Sequence, residues 1–200
     1  FSFFPTKNIT TGEGGMLTTN DDALAQKIRA LIGHGIDKST LQRQKETKSW
    51  HRVARYAGYN FRLSNILAAI GVEQMKKLGR MNDARRELSF HLIDRLKDVE
   101  ELDLPSENHD AYHVFQMFTV KINNGKRDEM VMRLKEMGIE ASVHFAPPVH
   151  YHPAYQNYKN ITLPVTEQVA DRIFTLPMFP QMTLEETNRI ANAVKSCIVK

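Results

Sequence analysis

Lys7 follows the apolar run Phe1-Ser2-Phe3-Phe4 and sits on a Pro5-Thr6-Lys7-Asn8 corner. A lysine held at such a corner beside apolar side chains loses solvation. That favours the neutral amine and makes it a nucleophile towards carbonyl carbons. Ser2, five residues earlier, carries a hydroxyl that could donate to an anion. Read from spacing alone, Lys7 is either that nucleophile or a surface charge after a strand, as most such lysines are.

Two other stretches could hold an anion or a metal. Gly12-Glu13-Gly14-Gly15 is turn chemistry, but it leads into the strand-like Met16-Leu17-Thr18-Thr19 and carries no Gly-Lys-Ser/Thr. A phosphate cradle instead opens a helix N-terminus, so a hairpin-type turn is the better reading. Residues 36–57 are polar, with Lys38, Arg43, Lys45, Lys48, Arg52 and Arg55 against Asp37 and Glu46. They read as a solvated loop or as a loop that meets an anionic ligand. His109 and His113 lie four apart, and His144, His150 and His152 cluster near Pro147-Pro148. Without paired cysteines or a His-Glu-x-x-His motif, no metal is expected.

The elements that must position these residues read as an α/β chain. Residues 1–4 and 16–19 predict short strands. Asn20 predicts an N-cap, with Asp21 and Asp22 near the positive end of the helix dipole. Leu24, Ile28, Leu31 and Ile32 share a face, and Gly33 stops the helix. Two long helices follow. Leu67, Gly71, Met75 and Leu78 line one from Ser64, Gly71 letting a neighbour approach closely. Ala84, Leu88, Leu92 and Leu96 line the other from about Met81. Beyond Pro105 the texture is α+β: a strand covered on both faces over 113–122, a helix over 128–137 and a strand over 139–145. Thr183-Leu184-Glu185-Glu186 is a capping box for a terminal helix with Ile190, Val194, Cys197 and Ile198 inward. The change of texture places a domain boundary near residue 80, giving domains 1–80 and 81–200.

Composition bounds the function. Of the 200 residues, 42% are hydrophobic and 25% charged, the proportions of an ordinary soluble globular protein. No apolar run approaches the roughly 20 residues of a membrane helix, and no leader pattern points to secretion. The single cysteine, Cys197, excludes an internal disulfide and suits a reducing cytoplasm. A net charge of +4 is far from the dense basic stripe of a nucleic-acid-binding protein.

The segment "FSFFPTKNITTGEGGMLTTND" resembles the lysine segment of the DegT/DnrJ/EryC1/StrS family of sugar aminotransferases. "GYNFRLSNILAAIGVEQMKKL" (58–78) resembles the family's next signature, "ASVHFAPPVHYHPAY" (141–155) its small-domain segment, and "IFTLPMFPQMTLEE" its C-terminal approach. The resemblance implies an aspartate-aminotransferase-like α/β fold (fold type I of the pyridoxal-phosphate enzymes). Residues 1–80 would be the C-terminal part of the cofactor-binding large domain, and 81–200 the α+β small domain. It further implies pyridoxal 5'-phosphate as cofactor, glutamate as amino donor and a nucleoside-diphosphate keto-sugar as acceptor. The setting would be amino-sugar or surface polysaccharide biosynthesis, in a cytoplasmic homodimer with shared active sites.

By the same resemblance, Lys7 would bond covalently to the cofactor aldehyde and shuttle the proton, and Ser2 would bind the cofactor phosphate. Asn60 would reach the cofactor phosphate in the partner subunit's site. Arg62 would support the site or the substrate, and His144, His150 and Tyr155 would border the sugar-nucleotide pocket. The family's N-terminal half supplies the acid facing the pyridine nitrogen and the aromatic stacked on the ring. These 200 residues therefore read as the C-terminal portion of a longer enzyme. The link 36–57 is longer than the family's usual one. The rival readings are a sugar dehydratase relative, which typically carries histidine at the lysine position, and a non-enzymatic regulator or binding protein on the same fold.

Overall fold

The computed structural model describes residues 1–38, 40–45, 47–158 and 160–198. Glu46, one of the two acidic residues read in the 36–57 loop, lies outside the described residues. Two compact units are present, Phe1–Leu78 and Gly79–Lys200.

In the first unit the N-terminal segment pairs with itself rather than forming strands. Ser2 bridges Gly15, Phe3 N donates to Gly14 O at 2.9 Å, and Met16 N donates to Phe1 O at 2.9 Å. The expected strands 1–4 and 16–19 are thus reduced to one isolated bridge. With a single pairing on one side, no continuous ladder builds up. Helix α1 spans Asp22–Ile32. Its N-cap is Asp21, one residue later than expected, because the Asp21 carboxylate accepts from Leu24 N at 3.0 Å. Gly33 caps the C-terminus, donating its N–H to Ala30 O. The 36–57 loop has structure of its own: a short helix α2 (Thr40–Gln44), and a bridge between Ile36 and Ala54 that closes it into an arm.

Helix α3 runs unbroken from Asn65 to Leu96, where the sequence predicts two helices. Gly79 lies where the break is expected, but one glycine costs a helix only about 1 kcal/mol, and no proline follows to stop it. A Cβ at Gly71 would meet Thr11 Cγ2 at 3.2 Å, so this glycine does admit a close neighbour.

The second unit is built on a three-stranded antiparallel sheet in the order β1 (Leu102–Asp103), β2 (Phe118–Ile122), β3 (Ile173–Leu176). Phe118 pairs with Leu176, and Leu102 with Ile122. β2 is shorter than the expected 113–122 strand. Phe115 has φ +42°, a left-handed conformation that cannot continue a ladder. The expected strand 139–145 is only a Ser142–Thr175 bridge. Helix α4 (Arg127–Glu136) matches the predicted helix within a residue. Two short 3-10 helices (Val149–Tyr151 and Pro153–Tyr158) and α5 (Pro164–Ala170) lead into β3. Helix α6 spans Leu184–Ile198 and opens on the predicted box: Thr183 N donates to the Glu186 carboxylate at 2.8 Å, and Glu186 N donates to Thr183 Oγ1 at 3.1 Å.

One core holds this unit together. Leu92 and Leu96 of α3, Phe118 and Val120 of β2, Leu134 of α4, Phe174 of β3 and Val194 of α6 are fully buried in it. Such side chains contribute roughly 1.5–3 kcal/mol each. Cys197 and Ile198 pack against its edge. Among the described residues no helix is long and apolar enough to cross a membrane.

Candidate active site

Lys7 occupies the last position of a β-turn. Its N–H donates to Phe4 O at 3.0 Å, and Pro5 presets the backbone at the turn's second position. The ends of the loop that carries it are tied to Phe3, whose carbonyl accepts from Thr11 N at 3.0 Å and from Thr10 Oγ1 at 2.8 Å. Thr11 is buried, so the loop's base is fixed while Lys7 itself is only half-buried. Ser2 Oγ accepts from Phe4 N at 3.3 Å. A hydroxyl that accepts from the backbone keeps its own proton to donate. One short segment therefore offers a primary amine and a hydroxyl donor. That donor set suits pyridoxal phosphate, with the amine for its aldehyde and the hydroxyl for its phosphate.

Asn60 and Arg62 belong to a second segment, stitched to the C-terminal end of α1. Tyr59 N donates to Leu31 O at 2.7 Å, Phe61 N to Ile32 O at 3.0 Å, and His34 N to Tyr59 O at 2.8 Å, while Asn60 bridges Gly33. The last carbonyls of a helix have no partner within it, and this strand-like segment satisfies them. The arrangement requires two backbones to cross closely. A Cβ on Gly58 would overlap Gly35 N, and one on Gly35 (φ +76°) would overlap Tyr56 O. Asn60 Oδ1 accepts from Arg62 Nε at 3.1 Å, which orients the guanidinium. Tyr59 and Phe61, which alternate with them, stack on each other with ring centroids 4.7 Å apart.

Arg62 lines a cleft of about 920 Å³ together with Arg29, Lys38, Arg43 and Arg52. Sequence reasoning recognises the arm's basic residues but misses Arg29. Its signal was the spacing Gln26, Arg29, Gly33, three and four residues apart on one helix face, and all three line the cleft.

His144, His150 and Tyr155 lie in the second unit. His150 and Tyr155 line a smaller, largely apolar cleft of about 290 Å³ with Tyr158, Ile161 and Leu163. His150 Nε2 is 3.1 Å from Glu167 Oε1, and its ring lies 4.4 Å from that of Tyr151. Glu167 also accepts from Leu163 N at 2.8 Å. That backbone bond first, and the His150 bond second, hold its carboxyl below the usual range. Burial, and then the Glu167 charge, push the Tyr151 phenol up. His144 lies outside this cleft. Its Nδ1 is 3.3 Å from both Ser142 Oγ and Thr175 Oγ1.

The paired histidines do not meet as ligands. His109 contacts Asp110 at 3.0 Å, whereas His113 Nδ1 accepts from Phe115 N at 3.0 Å. Among the described residues no three His, Cys, Asp or Glu side chains converge on a metal position.

Comparison with known proteins gives a consistent result. The model of the DegT/DnrJ/EryC1/StrS aminotransferase family matches residues 1–195. Spore coat polysaccharide biosynthesis protein SpsC of Bacillus subtilis is 35% identical over 206 residues, which cover 99% of this chain and 53% of SpsC. A DegT DnrJ EryC1 StrS aminotransferase from Brucella abortus superposes with TM-score 0.83 at 27% identity, covering 100% of this chain and 50% of that one. NtdA from Bacillus subtilis, solved with bound cofactor PMP, gives TM-score 0.86 at 28% identity, covering 100% and 45%. The chain spans about half the length of the curated relatives it matches. With its α/β architecture shared with the fold type I aminotransferases, the chain belongs to the DegT/DnrJ/EryC1/StrS aminotransferase family.

Proposed function

We propose that this chain carries the reactive lysine of a pyridoxal-phosphate-dependent aminotransferase. The enzyme moves an amino group from glutamate to a nucleoside-diphosphate keto-sugar, for amino-sugar or surface polysaccharide biosynthesis in the cytoplasm. Residues 1–80 form the end of the cofactor-binding domain, and residues 81–200 the small domain. The observation that carries this reading is Lys7, held by its turn on the segment that also presents the Ser2 hydroxyl. A dehydratase relative, with histidine at that position, and a non-enzymatic binding protein are both disfavoured by the retained amine.

In this mechanism the bound cofactor supplies an electron sink for charge developing on the carbon next to the amine. The protein's own residues do the rest. Ser2 would donate a hydrogen bond from its hydroxyl to the cofactor phosphate. Lys7 Nζ would bond to the cofactor aldehyde in the resting enzyme and, once free, would take the proton from the α-carbon of glutamate. In the second half-reaction it would give a proton to the sugar carbon that becomes aminated. One side chain thus serves as anchor and as acid–base. Asn60 reaches the cofactor phosphate of the partner subunit in a homodimer, with Arg62 oriented by it. His144, His150 and Tyr155 border the substrate.

The test uses the protein at its native length with glutamate and a keto-sugar nucleotide. Lys7→Ala and Lys7→Arg should both lose transamination while keeping the wild-type circular dichroism, because a guanidinium stays protonated and cannot take the amine's role. Turnover near wild type in either variant would remove Lys7 from the mechanism.

A further inference from the structure

The carboxylate of Glu167 joins two walls of the small cleft in the second unit. Its Oε1 accepts from Leu163 N at 2.8 Å and lies 3.1 Å from His150 Nε2, and both of those residues line the cleft. His150 belongs to the first 3-10 helix, whereas Leu163 caps α5 and Glu167 lies within it. Tyr151 donates its hydroxyl to the same carboxylate. Capping α5 accounts for the Leu163 bond, since Glu167 N donates in return to Leu163 O at 2.9 Å. It does not account for a bond to a histidine seventeen residues earlier.

That bond decides the form of the ring. The Glu167 carboxyl is held below the usual range, so at neutral pH it is ionised and its oxygens only accept. The proton between the pair therefore sits on His150 Nε2, and in the neutral ring Nδ1 is left as an acceptor. The His150 side chain is only 8% exposed, and its ring lies 4.4 Å from that of Tyr151, so packing holds it in place as well. Tyr155, Tyr158 and Ile161 complete a largely apolar surround. A ring acceptor set among apolar side chains takes a hydroxyl group and rejects an analogue with no proton to donate, because the acceptor is then left unpaired.

We infer that Glu167 is a positioning residue for substrate selection, holding His150 in the Nε2–H form so that Nδ1 accepts from a hydroxyl group of the amino acceptor. That the hydroxyl belongs to the amino acceptor rests on the aminotransferase reading. The hold of Glu167 on the His150 ring does not.

The experiment has two parts, both on the protein at native length. In the first, NMR of protein carrying nitrogen-labelled histidine reads which nitrogen of His150 holds the proton, the signal being assigned by its loss in His150→Gln. The measurement is made at about pH 8, above the ordinary histidine pKa of about 6.5. The Nε2–H form is expected, and Glu167→Ala should lose that preference. A proton on Nδ1, or the same preference in Glu167→Ala, would overturn the proposal.

The second part is steady-state kinetics with glutamate and a keto-sugar nucleotide. Glu167→Ala should raise KM for the amino acceptor about tenfold, the loss of one hydrogen bond, while kcat and the KM for glutamate move less than about threefold. Glu167→Gln, which keeps an acceptor oxygen for Leu163 N and His150, should recover most of the loss. In a His150→Gln background the Glu167→Ala change should add little, because its effect passes through the ring. An equal cost in both backgrounds would reduce Glu167 to a cap of α5 and overturn the proposal. If the wild type turns over no keto-sugar nucleotide, the aminotransferase reading fails, and the NMR measurement alone decides whether Glu167 sets the His150 ring.

Discussion

Gly58 passes so close to Gly35 that a single methyl group on either would strike the other segment's backbone. This crossing sets Asn60 and Arg62 against the end of α1, so the glycine of the Gly58-Tyr59-Asn60-Phe61-Arg62 motif is there for backbone clearance.

Gly58→Ala should therefore destabilise the protein by about 1–3 kcal/mol, the range of an overpacked site. Gly79→Ala, with open space around its Cβ in the middle of α3, should do the reverse and stabilise by about 1 kcal/mol. Chemical denaturation of both variants checks the pair. A neutral Gly58→Ala would show that the two segments can separate without cost.

The acidic limb of the stability profile should carry the mark of Glu107. Its carboxylate accepts from the Arg86 guanidinium, and from His113 N at 2.7 Å, while Arg86 stacks over Tyr112 with 3.9 Å to the ring centroid. The Arg86 bond first and the His113 bond second lower its pKa from 4.5 to about 2. A carboxyl depressed in the folded state stabilises it above the unfolded pKa, and that contribution is lost as pH falls from about 4.5 to about 2. Glu107→Gln should thus be less stable than wild type at pH 7, with the gap closing as pH drops through that window. A gap unchanged down to pH 2 would remove Glu107 from the account.

Thr183→Ala should cost about 1 kcal/mol, because it removes the hydroxyl that accepts from Glu186 N at the start of α6. Glu186→Ala, which removes the reciprocal acceptor for Thr183 N, should add less than a second full kcal/mol in the double variant, since the two bonds form one unit. Full additivity in a double-mutant cycle would argue against a coupled box.

Much of this was legible in the sequence, for local reasons. Gly33 and Thr183–Glu186 announce helix ends through groups only a few residues apart, and the N-cap read at Asn20 falls one residue on, at Asp21. What failed depended on distant partners. The strand expected over 113–122 starts only at Phe118, because Phe115 takes a left-handed turn where its carbonyl accepts from the buried Arg85. The strand expected over 139–145 finds only Thr175 to pair with, through Ser142. Lys7 and Ser2 could be read together because they share one short segment. Arg29 is hidden because only the Gly35–Gly58 crossing brings the motif to the end of its helix.

Asn60 tests the intersubunit arrangement. If Lys7 serves one site and Asn60 of the same chain serves the partner's, a mixed dimer of Lys7→Ala and Asn60→Ala chains has one intact site. Random exchange makes about half the dimers mixed, so roughly a quarter of all sites should recover above the Asn60→Ala baseline. No gain after verified subunit exchange would place Asn60 in its own chain's site.

Borohydride reduction tests whether Lys7 is the residue that bonds to the cofactor. The native-length protein is incubated with pyridoxal phosphate, reduced, digested and mapped by mass spectrometry. One pyridoxyl group is expected, on the peptide containing Lys7 and absent from Lys7→Ala. Label spread over other lysines with Lys7 unmodified, or undiminished label in the variant, would contradict it.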